Sequence, residues 1–165
     1  MEKLLFRVYK SKRASMTLKI VSHSSVIVSV LAYCVLLFLS FKSSVYEGVS
    51  VLLSAAVPFL AVSAVRFLIN APRPYELYDF YEKKPKEKHG KSFPSRHVYS
   101  AFVIATLAFV YSIPLGVSLA LIGVSLAAAR VLLGIHFIRD VLCGALIGTV
   151  SGLIGIFFLI LPNLA

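Results

Sequence analysis

His136 and Asp140 stand four residues apart, a spacing that on a helix sets a carboxylate beside an imidazole. A carboxylate so placed accepts from one ring nitrogen and leaves the other as a nucleophile. A second histidine, His97, directly follows Arg96, and Arg66, Arg73, Arg130 and Arg139 sit at or near the ends of apolar runs. Guanidinium forks match phosphate oxygens two at a time, which an ammonium group does not. Phosphoryl transfer asks for charge stabilisation around the equatorial oxygens, an in-line nucleophile and a proton for the leaving oxygen. The arginines, His136 backed by Asp140, and His97 as the acid are candidates for these parts in turn. Two histidines in separate surroundings can hold opposite protonation states near neutral pH. No acidic cluster suited to magnesium lies at the apolar boundary, so a metal-free mechanism with no cofactor is expected.

The elements that position these groups are membrane spans. Hydrophobic residues make up 59% of the 165-residue chain, against roughly 45 to 50% in soluble domains, which marks an integral membrane protein. Five apolar segments are each close to the ~20 residues that cross the hydrocarbon: 24–41, 49–68, 98–113, 115–133 and 141–161. The third and fourth are joined by little beyond Ile113-Pro114, which predicts a tight hairpin. The expected fold is an all-α polytopic bundle of about five transmembrane helices, forming a single domain over 1–165. Residues 1–19 form an amphipathic N-terminal segment, with Leu4, Leu5 and Val8 on one side and Lys3, Arg7 and Lys10 on another. The apolar run that follows is long for a signal peptide's ~7 to 15 residues and is read as retained. Residues 70–96 are the one polar stretch long enough to cover a site. Gly144, Ala145, Gly148, Gly152 and Gly155 offer small faces for close helix packing.

Up-and-down threading brings Arg66, Arg73, Arg96, His97, Arg130, His136, Arg139 and Asp140 to one membrane boundary. Each has a plainer explanation when taken alone: a lone arginine at a helix end is usually a snorkelling anchor, and a lone histidine a packing residue. The argument rests on their joint spacing, since a charge near hydrocarbon costs on the order of 2.5 to 3.5 kcal/mol and calls for a reason. The net charge of +10 is read as contact with phosphate on headgroups or substrate, with no nucleic acid involved. Cys34 and Cys143 lie in separate apolar runs and are read as buried small hydrophobes. Two rival readings remain: a bis-histidine haem protein ligated by His97 and His136, and an anion or lipid-phosphate transporter. The first leaves the arginines without a role, and the second needs a polar path through the spans.

Arg66-(six residues)-Arg73-Pro74, then Pro94-Ser95-Arg96-His97, then Arg130-(five residues)-His136-(three residues)-Asp140, resemble the tripartite signature of the type 2 phosphatidic acid phosphatase superfamily. These are membrane lipid phosphatases related to vanadium haloperoxidases. The resemblance covers residues 66–140. It implies a phosphohistidine intermediate on His136 oriented by Asp140, and His97 as general acid for the leaving lipid alcohol. It also implies Arg66, Arg73, Ser95, Arg96 and Arg130 around the phosphate. Three positions depart from the usual pattern: Arg66 replaces a lysine, Arg96 a glycine and Ala129 a serine. The substrates left open are phosphatidate, phosphatidylglycerol phosphate, undecaprenyl diphosphate and lipid A 1-phosphate. The resemblance also implies a bacterial inner-membrane setting with the site on the extracytoplasmic face. The positive-inside rule points the other way, because the N-terminal basic cluster threads to the same side as the site.

Overall fold

The computed structural model describes residues 2–78 and 89–161, and all regular structure among them is helical. The helices are α1 (Glu2–Lys10), α2 (Lys12–Ser43), α3 (Val45–Ile69), α4 (Pro74–Leu77), α5 (Arg96–Ala108), α6 (Ile113–Leu132) and α7 (Ile138–Ile160). Four of them, α2, α3, α6 and α7, are long and apolar enough to cross a membrane. The chain is a multi-pass membrane protein.

The third expected span is the point of difference. Its helix, α5, has 13 residues, about 20 Å at ~1.5 Å per residue, short of the ~30 Å of hydrocarbon. The chain leaves the helix at Phe109–Tyr111 and re-enters at Ile113, with Pro114 in the first turn of α6 as expected. α5 is enclosed by α2, α3, α6 and α7, and Val98, Leu107 and Ala108 along it are wholly buried. Its apolar residues therefore form the protein core rather than face lipid. Tyr99 fixes it laterally, its hydroxyl donating to the Ala55 carbonyl of α3 at 2.7 Å.

The helix ends are set by local chemistry. Ser11 caps α2, accepting from the Ala14 amide at 3.3 Å, so the amphipathic segment stops at Lys10 instead of running to 19. Ser44 separates α2 from α3 and accepts from the Glu47 amide at 3.1 Å, making a one-residue turn between antiparallel spans. Asn70, left-handed at φ 44°, ends α3 and returns its amide to the Arg66 carbonyl. Pro72 and Pro74 then keep the chain from resuming the same helix, so Arg73 does not share a helical face with Arg66.

α7 meets α5 through the glycines singled out above. A Cβ on Gly144 would lie 2.6 Å from the Ser95 carbonyl oxygen, and one on Gly152 would lie 2.5 Å from the Thr106 Cβ. Backbone atoms cannot yield as a flexible side chain does, so a larger residue at 144 forces the helices apart. Gly144→Val is expected to cost about 1 to 3 kcal/mol and to lower the melting temperature in detergent by roughly 3 to 10 °C. Gly123→Ala, whose Cβ would meet the Phe102 ring edge at 3.1 Å and the Ala101 Cβ at 3.6 Å but no backbone atom among its three nearest neighbours, should change it less. Thermal melts followed by circular dichroism would decide, and equal stability of Gly144→Val and wild type would contradict the close-packing role.

Candidate active site

Four helix ends and one turn converge at one end of the bundle. Arg66 comes from the last turn of α3, Arg73 from the residue before α4, Arg96 and His97 from the first turn of α5, and Arg130 from the last turn of α6. His136 comes from the turn before α7. Together with Tyr75 and Ile135 they line one cavity of about 190 Å³. Arg66 and Arg73 are buried to 7% and 6% exposure, whereas His97 is exposed.

Backbone carbonyls of the connecting loop aim the arginines. Arg66 Nη1 donates to the Pro94 carbonyl at 3.0 Å, and Arg73 Nε donates to the Gly90 carbonyl at 3.0 Å. Glu76 Oε1 accepts from the Gly90 amide at 2.8 Å and from the Arg73 amide at 3.3 Å, folding the loop onto α4. Arg130 Nε is buried without a hydrogen-bond partner among the described residues. No described carboxylate lies within 4.0 Å of the Arg66, Arg96 or Arg130 guanidinium. Guanidinium groups held together without acids repel one another, and an anion bound between them would relieve that repulsion.

His136 does not sit on a helix face with Asp140, contrary to the expectation from their spacing. The left-handed Gly134 (φ 68°) reverses the chain after α6, and the Ile135 and His136 amides both return to the Arg130 carbonyl, at 3.0 and 3.2 Å. Asp140 lies in the first turn of α7, where its Oδ2 accepts from the Phe137 amide at 3.0 Å. An acid in that position satisfies a free amide and suits the positive end of the helix dipole.

Nor is the contact between the two direct. His136 Nδ1 is 3.6 Å from Asp140 Oδ2, longer than a hydrogen bond. Ser92 stands between them: its hydroxyl donates to Asp140 Oδ2 at 2.5 Å and lies 3.3 Å from His136 Nδ1. With the hydroxyl proton on Asp140, the Ser92 oxygen is placed to accept from Nδ1–H, which leaves Nε2 as the lone-pair nitrogen. Ser92 and Asp140 are fully buried and His136 is 2% exposed. Burial pushes the His136 imidazole below its ordinary value and the Asp140 side chain pulls it up. Sequence reasoning missed Ser92, and its only signal was its place two residues before Pro94-Ser95.

Two other residues take unexpected positions. Ser95 is fully buried and does not line the cavity; its amide donates to the Asp140 carbonyl at 3.0 Å, while its hydroxyl has no partner among the described residues. Arg139 turns away, its side chain 68% exposed, stacked 5.3 Å over the Phe137 ring and 3.6 Å from Asp140 Oδ1. Among the described residues, no three His, Cys, Asp or Glu side chains gather in a group suited to a metal ion.

Membrane-crossing helices whose ends gather four arginines and two histidines around one cavity define a polytopic membrane protein with a cationic pocket. The sequence profile of the PAP2 superfamily matches residues 47–162, which span the whole constellation, and the chain belongs to that superfamily. No curated protein matches the chain significantly by sequence. Among solved structures the fold is similar to that of LpxE from Aquifex aeolicus, with a TM-score of 0.71, 24% identity and 92% of each chain covered. It is also similar to the first transmembrane PAP2 type phosphatidylglycerolphosphate phosphatase from Bacillus subtilis. There the TM-score is 0.68 and the identity 21%, over 95% of this chain and 83% of the other.

Proposed function

We propose that the chain is a metal-independent lipid phosphatase that hydrolyses the phosphate ester or diphosphate of a membrane lipid through a phosphohistidine. One observation carries this reading: four arginines and two histidines line a single cavity, one of the histidines being tied through Ser92 to a buried carboxylate. Arg66, Arg73, Arg96 and Arg130 hold the phosphate oxygens; the family signature also assigns Ser95, which lies outside the cavity lining and takes no part in this step. His136 Nε2 attacks phosphorus, forming an N–P bond as the P–O bond to the lipid breaks. His97 gives its proton to the leaving oxygen, releasing the lipid alcohol. A water then attacks the phosphohistidine while His97 takes its proton, and inorganic phosphate leaves with both histidines restored. Transport is less well supported, because it leaves the Ser92 and Asp140 pair behind His136 without a role.

The membrane boundary suits this chemistry, since a headgroup can enter the cavity while its chains stay in hydrocarbon. The candidates are phosphatidate, phosphatidylglycerol phosphate, undecaprenyl diphosphate and lipid A 1-phosphate. Phosphate release by the detergent-purified protein from this panel, with EDTA present, tests the proposal; silence on every lipid would overturn it, and release abolished by EDTA would overturn metal independence.

The active site faces the extracytoplasmic side of a bacterial inner membrane in this reading. The basic residues around the cavity serve phosphate binding, which weakens their weight in the positive-inside rule. Ser92 is too buried to report the face, whereas the His89 side chain is 70% exposed. A His89→Cys variant lacking Cys34 and Cys143 should react with an impermeant thiol reagent added to intact cells. Protection until the cells are opened would put the site in the cytoplasm.

A further inference from the structure

The phosphate cavity adjoins a second one. Between α2, α3 and α5 lies an apolar cavity of about 280 Å³, lined by Val26, Val30, Phe59 and Ile104 among others. Arg96 and His97 are the only described residues that line both. The acid that serves the leaving group therefore stands between the anion pocket and an adjoining groove suited to a hydrocarbon chain.

Arg96 is held loosely at this junction. Its guanidinium carbon lies 5.7 Å over the Phe59 ring, and Nη1 is 3.5 Å from the Ser63 hydroxyl, at the limit of a hydrogen bond. No described carboxylate neutralises it. A partly buried cation on the lipid side of a phosphate pocket is costly unless the ligand brings a second negative charge there.

We infer that the groove takes the chain of the leaving lipid, and that Arg96 binds a second phosphate on the leaving-group side of the scissile one. The favoured substrate is then a lipid diphosphate, a refinement that rests on the phosphatase reading above. His136 Nε2 attacks the terminal phosphorus, the bridging P–O bond breaks, and the lipid departs as its monophosphate. That leaving group is a stabler anion than an alkoxide, so a guanidinium beside it neutralises the charge that develops, and the proton from His97 matters less. Water then releases the terminal phosphate from His136, and one water is consumed overall.

The test compares undecaprenyl diphosphate with undecaprenyl monophosphate, which share one chain, in mixed micelles of fixed composition. Phosphatidylglycerol phosphate, with its second phosphate three carbons away, forms a third arm. Wild type is expected to prefer the diphosphate in kcat/KM. Arg96→Gln should lower that preference about tenfold or more, and Arg96→Lys, which keeps a cation, should retain part of it. The ratio is read within one preparation, so a misfolded fraction cancels. Equal losses on both undecaprenyl substrates, or a wild type that prefers the monophosphate, would overturn the role of Arg96 while leaving the phosphatase intact. A preference for phosphatidylglycerol phosphate above both, lost in Arg96→Gln, would replace the diphosphate with a spaced second phosphate. No release from any lipid by wild type would overturn both readings together.

Discussion

His136→Ala is expected to lower the turnover of lipid phosphate by at least about 10³-fold, roughly 4 kcal/mol of barrier. His136 is the histidine whose ring is oriented from behind, by the Ser92 and Asp140 pair, which leaves one nitrogen toward the cavity. In the proposed mechanism its removal takes away the atom that bonds to phosphorus, whereas the four arginines of the cavity remain. The loss should therefore fall on kcat, with KM changed by only a few fold. Rapid quenching of the wild type with lipid carrying a radioactive phosphate should trap an acid-labile, base-stable adduct on the protein. The variant should show none. Equal phosphate release by the two proteins would mean that another group is the nucleophile.

The second large effect concerns the buried carboxylate. Asp140 Oδ2 receives the Ser92 hydroxyl at 2.5 Å and the Phe137 amide at 3.0 Å. An asparagine whose amide oxygen takes the Oδ2 place can still accept both, but it carries no charge to favour the imidazolium, and its amide nitrogen would stand where Oδ1 is buried without a hydrogen-bond partner among the described residues, so the hold on the His136 ring loosens. Asp140→Asn is expected to reduce kcat about 10²-fold or more, by allowing the unproductive tautomer. Ser92→Ala leaves the carboxylate in place and should cost about tenfold. If the three groups act as one unit, the double variant loses less than the product of the single losses. The pH profile supplies an independent reading. The carboxylate favours the imidazolium, so its removal lowers the His136 pKa further, and the acid limb of kcat/KM moves to lower pH. Fully additive losses with an unmoved acid limb would reduce Ser92 and Asp140 to a structural role.

The sequence by itself determined that the chain crosses a membrane, and it offered arginines and histidines whose chemistry suits phosphate, six of which the fold brings to one cavity. Hydropathy, helix length and the alternation of direction from span to span are properties of short segments, and four of the five apolar runs became helices long enough to cross. The three motif blocks are likewise local strings, readable without a fold. Only the tertiary structure decided how they meet. α5 is shorter than an ordinary span, which composition does not foretell because apolar residues read alike whether they face lipid or other helices. The spacing of His136 and Asp140 suggested a shared helical face, yet a left-handed glycine places the histidine in a turn and the aspartate in the first turn of the helix. Ser92 entered the site across 44 residues of chain, and Arg139 left it, through packing that no periodicity encodes. Local pattern sets which chemistry a segment can offer, but distances between remote side chains follow from how the helices close on one another, here through glycines that let α7 rest against the start of α5.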